Sequence, residues 1–293
     1  MIIIGTKISF SGPEVKMLDF TIIDEIIWRA LKEDMPMGDI TTDSTVDEDM
    51  VCSAKLIAKE DCVIAGIDVF TRVFTLLDPK IYTERYVNDG EKVGKGTVLM
   101  YITGNARAML KAERTALNLF QRMCGIATAT RKFADILEGT RSKIVDTRKT
   151  APGLRYLDKA AVRIGGGTNH RFCLSDGVLI KDNHIRAAGG ITAAVKKARA
   201  YIPHTIKIEV ETESMEQVKE ALSAGAEIIM LDNMSPAAMK EAVDYINGRA
   251  LTEASGNITL DNVRAVAETG VDLISSGSLT HSVKAADISL RFD

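Results

Sequence analysis

From Thr21 to Asp34 apolar residues recur at helical spacing: Ile22, Ile23, Ile26, Ile27, Ala30 and Leu31. Asp24 and Glu25 fall in the first turn and Met35-Pro36 closes the segment, so the pattern predicts a helix. Val51 to Gly66 is β-rich, Ile67 to Leu77 reads as an apolar helix ending before Asp78-Pro79, and Ile81 to Val87 as another β segment. A long helical pattern runs from Ala106 to about Leu137, with Met109, Leu110, Ala116, Leu117, Phe120, Met123 and Cys124 on one broad face. Beyond Lys143 the rhythm changes. Short apolar runs near 143–147, 177–181, 206–211, 227–232, 250–255 and 272–275 alternate with amphipathic stretches expected as helices, at 153–164 and then 190–202, 214–224, 235–247 and 259–269. Such alternation implies a parallel sheet with enough units to curl into a barrel.

Between the β segments, DGEKVGKGTVLMYITG is punctuated by Asp89-Gly90 and Gly94-x-Gly96, a turn-rich shape like that of a biotinyl or lipoyl carrier. No lysine sits at a hairpin tip of the required kind, so the expectation is a structural turn. Residues 1–17 have mixed polarity and read as an extension. Met1-Ile2-Ile3-Ile4 gives way to polar residues without a basic lead or a long apolar run, which argues against a signal peptide. The other apolar runs are too short to span a bilayer, so a cytoplasmic location is expected. At 293 residues the chain has room for two domains, or for a barrel with an added module.

The net charge of −3 argues against a nucleic-acid-binding field, so local positive charge must be focused. It is concentrated between Asp146 and His184, where Arg148, Lys149, Arg155, Lys159, Arg163, His170, Arg171 and Lys181 are interleaved with Gly165, Gly166 and Gly167. Cations beside glycine-freed main chain suggest a pocket for a multiply charged anion. Arg155, Lys159 and Arg163, four residues apart, read instead as a solvated or supporting helix face. The C-terminal ends of the expected strands carry Asp146 to Lys149, Lys181, Glu209 and Glu211, Asp232, Glu253 to Gly256, and Ser276-Gly277. That clustering at one rim is where an α/β barrel keeps its active site. Ser255-Gly256-Asn257 and Ser276-Gly277-Ser278 suit a phosphate but serve equally as plain connectors. Cys52, Cys62, Cys124 and Cys173 form no C-x-x-C pair and read as reduced thiols.

The motifs D-T-R-K-T (146–150), G-G-G-T-N-H-R (165–171) and L-I-K-D-N-H (179–184) resemble those of the quinolinate phosphoribosyltransferases, the type II phosphoribosyltransferase family. The resemblance extends through GDITTD (38–43), ERTALNLFQRMCGIAT (113–128), IEVET (208–212), MLDN (230–233), EASGNI (253–258) and SSGSLTHS (275–282). It implies an N-terminal α/β open-faced sandwich at 18–125, on which a tail at 282–293 could pack, and an incomplete, roughly seven-stranded parallel α/β barrel at 126–281. The implied reaction joins quinolinate to 5-phosphoribosyl 1-diphosphate, releasing diphosphate and CO₂ and yielding nicotinate mononucleotide for NAD biosynthesis. The family pattern assigns quinolinate to Arg114, Thr147, Arg148, His170, Arg171 and Lys181. It assigns the phosphates to Lys149, Ser255, Gly256, Asn257, Ser276, Gly277, Ser278 and His281, with a helix cap as the alternative for His281. Lys149, Glu211 and Asp232 are the implied catalytic set. Glu211 and Asp232, expected about a strand spacing apart, roughly 5 Å, are the implied Mg²⁺ ligands, with Lys149 between them as a further partner. Ordinary lysine pairing is the alternative. Arg114, an unremarked flanking cation by composition, is implied to reach across a homodimer interface.

Rival expectations are a related type II enzyme acting on another aromatic acid such as nicotinate, a barrel aldolase using Lys149 or Lys181 in a Schiff base, and a non-catalytic binder of phosphorylated ligands. The set Arg148, His170, Arg171 and Lys181 favours a dicarboxylate over a monocarboxylate.

Overall fold

In the computed structural model, which describes residues 18–293, helix α1 (Phe20–Asp34) starts where the Asp19 carboxylate accepts the Thr21 N–H. The expected N-terminal extension, residues 1–17, lies outside the described residues. There follow α2 (Ile40–Thr45), β1 (Val51–Ala58), β2 (Cys62–Val63), α3 (Ile67–Leu77), β3 (Tyr82–Arg85), β4 (Lys92–Val93), β5 (Val98–Asn105) and the 32-residue α4 (Ala106–Leu137). Strands β3, β5 and β1 pair antiparallel, and alternate residues of β1, Ala54, Leu56 and Ala58, turn inward beneath α3 and α4. There Phe70 of α3 meets Phe120 of α4 with ring centroids 5.3 Å apart, and Phe74 of α3 stands 5.1 Å from Phe70. Burying each such ring contributes about 1.5–3 kcal/mol, which makes the α3–α4 contact the anchor of this half. The Gly-punctuated stretch is a structural turn: β2 pairs with β4, and the Lys95 N–H is tied to Asp61 Oδ1.

The second half contains β6 (Lys143–Val145), α5 (Arg155–Ile164), β7 (Val178–Ile180), α6 (Asp182–Ala188), α7 (Ile191–Tyr201), β8 (Ile208–Thr212), α8 (Met215–Ser223) and β9 (Ile228–Asp232). It continues through α9 (Pro236–Ile246), β10 (Leu251–Ser255), α10 (Val263–Glu268), β11 (Leu273–Ser275) and α11 (Ser278–His281), and ends in β12 (Ile288–Phe292). Six strands form one parallel sheet in the order β6-β11-β10-β9-β8-β7. The sheet is an incomplete barrel, with six strands rather than about seven. Thr168 stands where a further strand would lie, but it makes a single parallel bridge to Val145. The reason is local: Asp146 takes up the next groups, Asn169 Nδ2 and the His170 N–H, so the ladder stops.

Helix α4 runs without a break past residue 125. Its Gln121 accepts the Ala286 N–H and donates Nε2 to the Ile288 carbonyl, seating β12 as the edge strand beside β1. At Gly125 a Cβ would stand 2.2 Å from the Lys284 carbonyl oxygen, so only glycine admits this approach.

Candidate active site

The C-terminal ends of β6 to β11 converge on two adjoining cavities, of about 350 and 550 Å³. The smaller is lined by Arg148, His170, Arg171 and Lys181 together with Leu179, Met230 and Glu253; the larger holds Glu211, Asp232, Gly256, Asn257, Ser276, Gly277, Ser278 and His281. Thr147, Lys149, Lys181, Ser255 and Ser275 border both. The sequence-derived candidates are thus brought together, with one exception. Arg114 is exposed on α4 and lines neither cavity of its own chain.

Buried ion pairs hold the loops that carry these groups. Asp146, at the end of β6, is completely buried; its Oδ1 accepts Lys159 Nζ at 2.5 Å and the His170 N–H at 2.9 Å, and Lys159 Nζ also donates to the His170 carbonyl. Burial pushes the Asp146 carboxyl up, and Lys159 pulls it back. Lys159 is therefore no surface cation: at 2% exposure it is a core strut, although Arg163 at the next helical position is exposed. A lysine is admitted there because its ammonium meets a carboxylate and a carbonyl at once. On the other side of α5, Arg122 of α4 grips Asp158 with two 2.8 Å bonds while Asp158 accepts the Ala151 N–H. Arg122 also donates to the Thr280 carbonyl, and Thr280 Oγ1 donates to the Lys149 carbonyl, so Lys149 is held from both flanks.

The glycine run has a different role from that expected. The N–H groups of Gly165, Gly166 and Gly167 are spent on the Ala161, Arg163 and Val162 carbonyls, closing α5 rather than facing an anion. A Cβ at Gly165 would lie 2.6 Å from the Ala127 carbonyl oxygen and one at Gly167 2.8 Å from Thr130 Cγ2, so these residues let α5 pack on α4. Glycine does shape the larger cavity at Gly256, where φ is +91° and a Cβ would stand 2.1 Å from Asn233 Oδ1. Asn257 Nδ2 completes this corner by donating to Asn233 Oδ1 at 3.1 Å.

Glu211 and Asp232 do not face each other across a lysine. The β8–β9 register sets Glu211 opposite Met230, which leaves Asp232 two residues nearer the rim. Glu211 Oε2 accepts Lys181 Nζ at 2.6 Å, and Asp232 accepts Asn233 Nδ2 at 2.7 Å; Lys149 pairs with neither among the described residues. Glu211 thus has a lysine partner, Lys181 rather than Lys149. One oxygen of each carboxylate still lacks a bond among the described residues. Hard oxygen donors beside a cavity lined by Ser, Asn and Lys suit a divalent cation such as Mg²⁺ in their chemistry. His281 Nδ1 lies 2.7 Å from Ser282 Oγ, and its ring borders the larger cavity.

Beneath the smaller cavity stand Glu209 and Glu253, which sequence reasoning placed at strand ends without assigning them to the site. His170 Nε2 is 2.9 Å from Glu209 Oε2 and 3.6 Å from Glu253 Oε2. Burial raises the Glu253 carboxyl to about 7, helped by the Glu209 charge and opposed by His170. For His170 burial alone would lower the pKa, but Glu209 and Glu253 together raise it. Arg171 is lowered by burial and by the neighbouring Arg148 guanidinium. The signal for the two glutamates was strand parity: Glu209 shares a face with Glu211, and Glu253 with Ser255.

The family model described as quinolinate phosphoribosyl transferase, N-terminal domain, matches residues 39–124, and its C-terminal counterpart matches residues 126–291. The chain is 48% identical over 290 residues to a mitochondrial quinolinate phosphoribosyltransferase [decarboxylating] 2b of Nicotiana tabacum, covering 92% of this chain and 82% of that protein. It is 47% identical over 258 residues to a probable nicotinate-nucleotide pyrophosphorylase [carboxylating] of Bacillus subtilis, covering 88% and 89%. Among solved structures, the nicotinate-nucleotide pyrophosphorylase of Francisella tularensis superposes with a TM-score of 0.89 at 39% identity, covering 94% of this chain and 98% of that one. With matched models spanning both halves and relatives close to half identical along nearly its whole length, the chain belongs to the quinolinate phosphoribosyltransferase family.

Proposed function

We infer that the chain transfers the phosphoribosyl group of 5-phosphoribosyl 1-diphosphate to quinolinate and decarboxylates the product to nicotinate mononucleotide. The observation that carries this reading is the pair of cavities: one gathers Arg148, His170, Arg171 and Lys181 around a space the size of a small aromatic acid, and the other opens beside it on Ser, Gly and Asn turns. Two substrate carboxylates need several charged donors, whereas a monocarboxylate would leave guanidinium groups unpaired; Arg148 Nε already lacks a partner. Lys149 borders both cavities and is therefore a cation available to either substrate. As the nitrogen–carbon bond forms, the bond to diphosphate breaks, and Lys149 with Lys181 offsets the charge gathering on the departing oxygen. The ring nitrogen, now a pyridinium, stabilises by its positive charge the electron pair left on C2 as the C2–carboxylate bond breaks; CO₂ leaves and that pair takes up a proton. Glu211 and Asp232 would hold Mg²⁺ at the diphosphate through their remaining oxygens, and the ion when bound neutralises charge on the leaving group.

The test is an assay of the purified chain with 5-phosphoribosyl 1-diphosphate and either quinolinate or nicotinate, following CO₂ and nicotinate mononucleotide. Product and CO₂ from quinolinate are expected. Turnover of nicotinate alone would overturn the reading. Asp232→Asn and Glu211→Gln should lower the rate and weaken its Mg²⁺ dependence, with quinolinate binding retained most fully in Asp232→Asn, because Glu211 also steadies Lys181.

A further inference from the structure

Glu209 and Glu253 have no part in the chemistry above, yet both are buried, Glu253 lining the smaller cavity and Glu209 touching the His170 ring that also lines it. Both Glu253 oxygens and Glu209 Oε1 are without a hydrogen bond among the described residues. His170, Glu209 and Glu253 bring a ring nitrogen and two carboxylate oxygens within 4.8 Å of one another. Two carboxylates so close and shielded from water need a proton or a positive charge between them; above pH about 7, where Glu253 gives up its proton, the imidazole is the group they share.

The ring geometry says what that charge does. Nε2 is bonded to Glu209 Oε2, so this nitrogen carries a hydrogen; Nδ1 has no partner among the described residues, and the ring lines the cavity beside Arg148 and Arg171. A neutral ring with hydrogen on Nε2 would offer Nδ1 as a bare acceptor, which repels a carboxylate; an imidazolium offers two donors. We propose that Glu209 and Glu253 are positioning residues for substrate recognition, pinning His170 by Nε2 and holding it as the imidazolium whose Nδ1–H binds a carboxylate of quinolinate. This rests on the quinolinate reading of the cavity.

The charged groups around the ring explain why two glutamates are needed. Glu209 from β8 and Glu253 from β10 favour the cation; Lys159 from α5 opposes it. Arg148 after β6, the adjoining Arg171 and Lys181 after β7 share the cavity and push in the same direction as Lys159. One carboxylate would be outnumbered. A histidine and two carboxylates could also ligate a divalent transition metal, but these same cations disfavour a second double charge.

The test uses the full chain with ¹⁵N-labelled histidine; there are four histidines, and His170→Gln assigns the signal. Both His170 ring nitrogens should be protonated at pH about 7.5, and Glu209→Gln or Glu253→Gln should lower the titration midpoint by about one unit or more. Quinolinate should then bind the variant about tenfold more weakly at that pH, recover as pH falls toward about 6, and leave 5-phosphoribosyl 1-diphosphate affinity unchanged. The two variants serve as independent readouts should one fail to fold. A neutral His170 in the unaltered chain, an affinity loss equal at every pH, or an Nε2 signal that a chelator shifts would each overturn the proposal. Absence of quinolinate binding by the unaltered chain would instead overturn the function, while the ring titration would still decide the role of the glutamates.

Discussion

Arg171 and Arg148 are two guanidinium groups sharing one small cavity, close enough that the Arg148 charge, added to burial, lowers the pKa of Arg171. Like charges held together by the fold store repulsion that an anionic ligand relieves, so Arg171→Ala should weaken quinolinate binding by about 2–5 kcal/mol while 5-phosphoribosyl 1-diphosphate binds as before. Calorimetry with each ligand checks this, and unchanged quinolinate affinity would refute the assignment. Glu253 gives a second prediction at this scale. Its folded pKa of about 7 lies above its ordinary value of 4.5, so the folded chain keeps a proton that the unfolded chain gives up. Stability should therefore fall as pH rises from about 4.5 to about 7, by on the order of 3 kcal/mol from this group. Glu253→Gln should remove the fall and unfold at a higher temperature than the unaltered chain at pH about 8, with the difference gone below pH about 4. Single residues were also where the sequence was hardest to read. Spacing placed Lys159 on a charged helix face, because nothing local reveals that Asp146, thirteen positions earlier, sits across from it in the core. The glycines at 165–167 carry the motif but serve helix packing, since their N–H groups were already committed to α5.

At the scale of elements, periodicity carried most of the information. The α/β alternation after Lys143, the long helix from Ala106 to Leu137 and the helix from Ile67 to Leu77 are written in apolar spacing, which depends only on which face each residue must bury. Register is not written there. Nothing in IEVET or MLDN says that Glu211 faces Met230 rather than Asp232, because register depends on the loops and the barrel shear. Nor does composition show that α4 is the spine against which α3, α5 and the β12 segment all pack. Gly125 is the point at which that role can be tested. Adding one methyl would drive a Cβ to 2.2 Å from a backbone oxygen, which cannot swing aside as a side chain would. Gly125→Ala should cost about 1–3 kcal/mol, appear as a lower denaturation midpoint with an unchanged slope, and raise hydrogen exchange across 286–292. An equally stable variant would show that the tail segment shifts freely.

For the molecule as a whole, the unanswered placement is Arg114. It belongs to the ERTALN motif, yet it is exposed on α4 and lines neither cavity of its own chain. We propose that Arg114 serves the site of a second copy, an arrangement in which a two-fold dimer would let each copy complete its neighbour by the same contact. The expected consequence is interallelic rescue. Arg114→Ala and Lys149→Ala should each be nearly inactive alone, the first lacking the donated group and the second the resident one. In a mixed dimer one site carries both losses and the other carries neither. Equal amounts of the two variants, exchanged to equilibrium, place half of the subunits in mixed dimers with one intact site of two, so roughly a quarter of full activity should return. Exchange must be verified with differently tagged subunits, and a mixture of Arg114→Ala with Arg148→Ala should show the same rescue, because Arg148 also lines the cavity of its own chain. If mixed dimers form and no activity appears, Arg114 does not act across the interface.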